Sequence, residues 1–203
     1  MNHCARHLGP VLASLLLAAC ASSPLHYYTL VAPADQALEA PTAPSLPFEL
    51  LPVSVPAQVD QPQLVVREGG QGVALLGGER WIAPLGDELR GALSADLARE
   101  LGSPDVSGLP ANDKPRLRIK LDVRRFDSQP GGYALIEGAW SVRLLHGAKP
   151  AALACTSRVS ETVGPGYAAL VQGHQQAVAR IAAQIAGVAR AIGAGARPDC
   201  PSG

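Results

Sequence analysis

The chain has 203 residues, of which 17 are basic and 17 acidic, so its formal net charge is zero. This length suits one domain with a substantial hydrophobic core. Since there is no excess of basic residues, the composition argues against a nucleic-acid partner.

Residues 1–19 have the pattern of a secretory signal peptide. A short basic head precedes an apolar run, Val11 to Ala19, which is too short to span a membrane as a helix. The run ends in Leu17-Ala18-Ala19-Cys20, the order of a lipoprotein cleavage site. A thiolate at Cys20 could accept a diacylglycerol, and cleavage before it would free an amino group for another acyl chain. We therefore predict lipidation at Cys20; the alternative is an ordinary signal peptide with a chance cysteine.

The first part of the mature chain predicts short strands and a hairpin. Residues 20–24 form a lipidated tether, and a single domain extends over residues 25–192. Leu25 to Leu30 is aromatic and β-branched, as in a strand. The Pro- and Ala-rich segment 31–47 is typical of an extended linker, and Phe48 to Val55 is a second strand candidate. Leu64 to Leu76, with Gly69-Gly70 at its centre, predicts a β-hairpin.

The first helix has a clear beginning and a clear apolar stripe. Trp81 ends the preceding strand, Pro84 favours the first helical turn, and Leu85 begins a row of leucines spaced four residues apart. Gly102 follows the row and predicts its end. We therefore expect a helix over residues 85–101 that packs on a sheet.

The second half repeats the order of strands and then a helix. Leu117 to Val123 alternates apolar and charged residues, Tyr133 to Leu145 returns after a Gly-Gly turn, and Ala154 to Val163 follows. Tyr167 to Ile192 is a long Ala-rich helix, and residues 193–203 are predicted to be a flexible tail. This order predicts an α+β fold of two layers, with a mostly antiparallel or mixed sheet and two main helices on one face.

The sequence contains no recognisable catalytic constellation, so we predict a protein that is not an enzyme and has no cofactor or metal. Its serines have no G-x-S-x-G context, and its histidines have no metal-binding spacing. His174 lies among glutamines and is interpreted as a solvated helix position. The run Gly69 to Gly72 lacks the context of a phosphate-binding loop and is read as the hairpin turn.

Two features leave alternatives open. Cys155 and Cys200 would lie in an oxidising compartment, where they either pair as a disulfide or remain separate thiols. The charged face of the strand from Arg116 to Arg124 is either merely solvated or meets anionic lipid heads or an acidic partner.

Besides the Cys20 motif, five segments carry a resemblance to a known family: Tyr27-Tyr28-Thr29-Leu30, Val53-Ser54-Val55-Pro56, Trp81-Ile82-Ala83-Pro84-Leu85, Leu89-Arg90-Gly91-Ala92-Leu93 and Glu137-Gly138-Ala139-Trp140. Together these features resemble the ABC-type transport auxiliary lipoproteins, the PqiC-like or YmbA-like components of MCE-type lipid transport systems. The resemblance covers nearly all of the mature chain. Cys20 is followed by Ala21 and not by Asp, and in this the chain resembles bacterial lipoproteins that reach the outer membrane. The Pro/Ala-rich insert and the Cys-containing tail depart from the family pattern.

The resemblance implies a protein without enzymatic activity, anchored by lipid on the periplasmic face of the outer membrane. Its implied partner is a periplasm-spanning MCE-domain protein, and the implied process is lipid transport that supports envelope integrity; a homo-oligomer is left open. Within the hairpin, Val66 and Leu75 are our candidate partner contacts. Two rival functions are a general envelope-assembly lipoprotein and a periplasmic lipoprotein that binds a lipid or small ligand.

The lipidation site gives a first prediction. Cys20→Ala should abolish incorporation of a labelled fatty acid such as palmitate, because no other residue offers a thiol at the cleavage site. Cys4→Ala is the matched control, and it should label like the wild type because Cys4 leaves with the signal peptide. Labelling that persists in Cys20→Ala would show that this is not a lipoprotein signal.

Overall fold

The computed structural model describes residues 24–33, 45–110 and 112–201. The fold is α+β, as predicted, with strands and helices close to the expected ranges. Cys20 and most of the Pro/Ala-rich insert lie outside the described residues. The elements are β1 (His26–Tyr28), β2 (Phe48–Leu50), β3 (Gln63–Gly69), β4 (Gly72–Trp81), α1 (Leu85–Leu101), β5 (Arg116–Gln129), β6 (Tyr133–Leu145), β7 (Ala152–Thr162) and α2 (Tyr167–Gly193).

The strands form two sheets, whereas the sequence suggested one. The three-stranded sheet has the order β1-β4-β3, and the four-stranded sheet has the order β2-β5-β6-β7. β1 is parallel to β4 and β2 is parallel to β5, while the other pairs are antiparallel. Pro52, Pro56 and Pro62 lie between β2 and β3. Because proline lacks the amide hydrogen that a ladder needs, these residues limit β2 to a short edge strand.

One hydrophobic core joins both helices to both sheets. α2 packs on β6 and β7 and also contacts α1. Burial alternates along β5 as its sequence predicts: Leu117, Ile119 and Leu121 are buried, while the residues between them face outward. Gly138 lets β6 approach β5 closely, and Gly173 lets α2 approach the sheet closely. A Cβ at Gly173 would lie 2.2 Å from a methyl group of Val163.

The corner before α1 is built as its sequence predicts. Trp81 is buried and meets the ring of Phe126 edge-on, with centroids 6.1 Å apart. Pro84 stands at the start of α1, Leu85 is buried beneath the first turn, and Gly102 ends the helix with a left-handed φ of 59°.

The predicted linker and tail are each partly incorporated into the domain. Ser45 donates a backbone hydrogen bond to Leu101, and Leu117 donates one to Pro47, so the end of segment 31–47 belongs to the fold. The tail after α2 is not free either, because Cys200 is joined to Cys155 on β7. The expectation of a frayed tail is therefore wrong for the residues up to Cys200.

The core gives a second prediction. Leu93 is completely buried on α1, so Leu93→Ala should lower the free energy of unfolding by about 2–5 kcal/mol, through lost burial and a residual cavity. Leu109→Ala removes the same atoms from an exposed side chain and should change the free energy of unfolding by less than about 0.5 kcal/mol. Chemical denaturation measures both; an unchanged midpoint for Leu93→Ala would mean that α1 faces the other way.

Candidate functional site

The segment that leads from the predicted anchor into the domain is held by two carboxylates. Glu79 on β4 accepts hydrogen bonds from the Tyr28 hydroxyl at 2.6 Å and from His26 Nδ1 at 2.9 Å. Glu88 on α1 accepts from the Thr29 hydroxyl and from the backbone amide of Leu30, both at 2.8 Å. Leu30 itself is buried in the core. The chain is therefore fastened to the domain within a few residues of the predicted anchor.

Electrostatics supports this fastening. Partial burial and the hydrogen bond to Glu79 raise the pKa of Tyr28 to about 12, so its hydroxyl remains a donor. The same hydrogen bond, together with His26, lowers the pKa of Glu79. Sequence reasoning missed both carboxylates, because their partners lie more than 50 positions away along the chain.

The direction of β1 determines which way the chain approaches the domain. Tyr27 pairs with Arg80 and Tyr28 with Trp81 in a parallel register. From Tyr28 back to Pro24, the chain therefore runs along β4 towards the turn of the β3–β4 hairpin. The carbonyl oxygen of Pro24 lies beside Gly78: a Cβ atom added at Gly78 would be 3.4 Å from this oxygen.

The outward face of the three-stranded sheet carries exposed apolar side chains beside two arginines, because Val73 pairs with Arg67 and Tyr27 pairs with Arg80. Leu25, Tyr27, Val73 and Leu75 are 48%, 55%, 56% and 54% exposed. Val65 pairs with Leu75 on this face, whereas Val66 points inward. We call this surface, made by Leu25, Tyr27, Val65, Val73 and Leu75, the apolar face.

The two hairpin residues predicted to contact a partner thus differ. Leu75 is exposed on the apolar face, but Val66 is buried against Ala134, Val163 and Leu170. Val66 is therefore wrong as a contact residue, because side chains alternate along a strand and position 66 belongs to the inner face.

A second surface is the groove across the outer side of the four-stranded sheet. Its volume is about 930 Å³, and small side chains form its floor. Its walls carry three cations and one carboxylate, and the end of the tail borders it. We call it the outer groove; its floor is Ala139, Ser141, Ala154 and Thr156, and its walls are Lys120, Asp122, Arg124, Arg158, Cys200 and Pro201.

The cations of the outer groove are free to exchange partners. Lys120 lies 2.9 Å from Asp122, and Arg158 lies 3.0 Å from Glu137, but all four side chains are well exposed. Surface ion pairs of this kind contribute little to stability, so an incoming anion could replace the carboxylates. Arg124 takes part in none of the ion pairs found among the described residues.

The structure places the tail against this groove through a disulfide between Cys155 and Cys200, whose Cα atoms are 5.6 Å apart. The bridge closes a loop of 45 residues that contains the whole of α2. Such a cross-link restricts the unfolded chain and fixes the wall of the groove.

His174 is not the solvated helix residue that its glutamine neighbours suggested. It is fully buried on α2, stacks on Phe126 with ring centroids 4.0 Å apart, and shares a 2.8 Å hydrogen bond with the hydroxyl of Ser128. Burial lowers its pKa to about 3, against a smaller opposing effect of Asp127. The glutamines take the exposed side of α2, so composition alone could not place His174 on the opposite side.

No grouping of three or more metal-ligating side chains occurs within residues 24–33, 45–110 and 112–201. In the same part of the chain, no helix is both long and apolar enough to cross a bilayer.

Comparison with known proteins places this chain among transport lipoproteins. A family described as "ABC-type transport auxiliary lipoprotein component" matches residues 28–186. The crystal structure of an uncharacterized protein is 20% identical, with a TM-score of 0.63, over 81% of this chain and 97% of that one. A protein from Xanthomonas campestris, of family DUF330, is 18% identical with a TM-score of 0.53, over 85% and 96%. At such identities, the two structures support a shared fold only. No protein with a curated description matches the chain.

The buried histidine gives a third prediction. Its folded pKa of about 3 lies below its ordinary value of 6.5, so on acidification the unfolded chain takes up this proton first. The stability it contributes is complete above about pH 6.5 and falls, by at most about 1.4 kcal/mol per pH unit, as the pH drops towards 3.

Denaturation curves between pH 7 and pH 4 test this effect through the slope of stability against pH. His174→Gln keeps a hydrogen-bonding group for Ser128 and should flatten the slope, whatever its stability at pH 7. His146→Gln changes an exposed histidine and should keep the wild-type slope. An unchanged slope in His174→Gln would contradict the burial of a neutral histidine.

Proposed function

The chain belongs to the family of ABC-type transport auxiliary lipoprotein components, and on that basis we propose that it is the outer-membrane component of an MCE-type lipid transport system. In this role it performs no chemistry. It is held to the membrane by lipid at Cys20 and docks the far end of a periplasm-spanning MCE protein, which in turn belongs to an inner-membrane complex.

The fastening of β1 is the observation that carries this proposal. Only residues 21–26 separate Cys20 from Tyr27, and six residues span at most about 20 Å. Because Glu79 and Glu88 hold the next residues to β4 and α1, the domain stays close to the bilayer. A domain so placed can receive a spanning partner but cannot itself cross the periplasm.

We assign the docking surface to the outer groove rather than to the hairpin. The hairpin lies at the anchor end of the domain, and one of its two expected contacts is buried. The outer groove is open, has a floor of small residues, and carries a net positive charge from Lys120, Arg124 and Arg158 against Asp122. These properties fit an acidic segment of the partner, with the small floor allowing close backbone approach.

The rival functions have less support in the geometry. The cavity between the hairpin and β5, lined in part by Val66 and Phe126, measures about 150 Å³. Pockets for small ligands occupy about 300–1,000 Å³, so this cavity is too small for a phospholipid. The outer groove and a cleft of about 500 Å³ beside the end of α2 reach that size, but both are open to solvent and do not enclose a ligand. A general envelope-assembly lipoprotein would bind outer-membrane proteins, and affinity purification distinguishes that function from MCE docking.

The docking proposal gives a fourth prediction. Arg124→Glu combined with Arg158→Glu should reduce recovery of the MCE protein with the tagged lipoprotein several-fold, because it reverses the charge of both walls. Arg197→Glu changes the charge of an exposed residue outside the groove and should leave recovery unchanged. Since the contact is electrostatic, added salt should weaken wild-type binding in the same direction.

Equal recovery from both variants would remove the outer groove as the docking surface. Failure of the wild-type protein to recover any MCE protein, with recovery of outer-membrane assembly proteins instead, would overturn the function itself.

A further inference from the structure

The β3–β4 hairpin contains an unusually long uncharged run. Residues 69–78 read Gly-Gly-Gln-Gly-Val-Ala-Leu-Leu-Gly-Gly, without one ionisable side chain. Val73 and Leu75, within this run, are among the most exposed large apolar side chains of the described residues. A solvated hairpin ordinarily presents charged residues, particularly where its strands lie near a sheet edge, so this composition calls for a physical explanation.

The position of the hairpin relative to the predicted anchor explains this uncharged run. Pro24 lies beside Gly78, and from Tyr28 back to Pro24 the chain runs along β4 in the direction of Leu75. The chain from Cys20 to Pro24 reaches at most about 14 Å. Leu75 is three residues from Gly78, which is about 10 Å along an extended strand. The acyl chains on Cys20 must therefore enter the bilayer within a short distance of the apolar face.

We propose that the apolar face and the hairpin turn rest on the bilayer surface in which Cys20 is anchored. The occupant of this face is thus lipid, and the contact lies at the level of the headgroups. This inference rests on lipidation at Cys20 but is independent of the MCE protein and of the outer groove.

The chemistry of the face fits that depth. Tyr27 has an apolar ring and a polar hydroxyl, the combination enriched where membranes meet water. The Gly-rich turn, where Gly69 and Gly70 have φ values of 98° and 54°, leaves its backbone groups to headgroups and water. Three strands with an exposed turn cannot satisfy their backbone in hydrocarbon, so the contact is interfacial rather than spanning.

Lipid explains this face better than protein does. A protein dock at Leu75 would have to occupy the space into which the short tether draws the bilayer. A second copy on the same face would carry its own tether into that space as well. Contact with lipid needs no further component, since the anchor alone brings the surface to the face.

Photo-crosslinking of the full-length lipoprotein tests the proposal. A benzophenone amino acid is placed at Tyr27 or Leu75 on the apolar face, and at Ile82 or Leu109 as controls of similar exposure. Ile82 follows the far end of β4, and Leu109 lies by the beginning of β5. The purified proteins are reconstituted in vesicles of phosphatidylethanolamine and phosphatidylglycerol whose headgroups carry a radioactive label. The headgroup label excludes reaction with the protein's own acyl chains.

The expected result is labelled protein at Tyr27 and Leu75, several-fold above the two controls. Equal labelling at all four positions, no labelling at Tyr27 and Leu75, or crosslinking of these two positions to another protein molecule would each overturn the proposal. Incorporation of labelled fatty acid at Cys20 is measured in the same preparations, so a failure of anchoring is distinguished from a failure of the contact. The crosslinking result does not depend on whether the MCE protein is recovered with the tagged lipoprotein.

Discussion

The parallel pairing of β1 with β4 is the constraint on which the account of this lipoprotein depends. β1 has only three residues, so its backbone pairing with β4 is short. Glu79 and Glu88 add four hydrogen bonds to the same short segment, and Leu30 buries its side chain in the core immediately afterwards. The chain therefore enters the folded domain at a fixed position, and we propose that lipid is attached at Cys20, at most about 20 Å from Tyr27.

Two surfaces of different chemistry follow from this arrangement. The apolar face includes Leu25 and Tyr27, the exposed residues next to the predicted anchor, and the run that forms the hairpin turn has no ionisable group. The outer groove lies on the other sheet, has cationic walls, and is bordered by the tail that the Cys155–Cys200 bridge holds in place. Exposed apolar side chains suit lipid, and an open cationic groove suits an acidic protein segment. We propose that a passive component of a transport system needs both: one surface for the membrane and one for the partner.

Local sequence patterns predicted most of the fold, and long-range contacts account for what they missed. The leucine spacing of α1 and the alternation in β5 determine their elements directly, because burial imposes those periods. The pairing of Tyr28 with Glu79, the burial of His174 and the separation into two sheets depend on residues far apart in the chain. Val66 shows the same limit at one position: the hairpin was recognisable, but which of its valines faces outward depends on pairing with β4.

Amide hydrogen exchange of the lipidated chain on vesicles, with and without the proposed MCE partner, tests the central claim most directly. The account predicts that vesicles alone slow exchange in residues 69–78, and that the partner then slows exchange along the outer groove in β5 and β7. Slowing of the hairpin by the partner only, with no effect of vesicles, would contradict the division of the domain into a membrane surface and a docking surface.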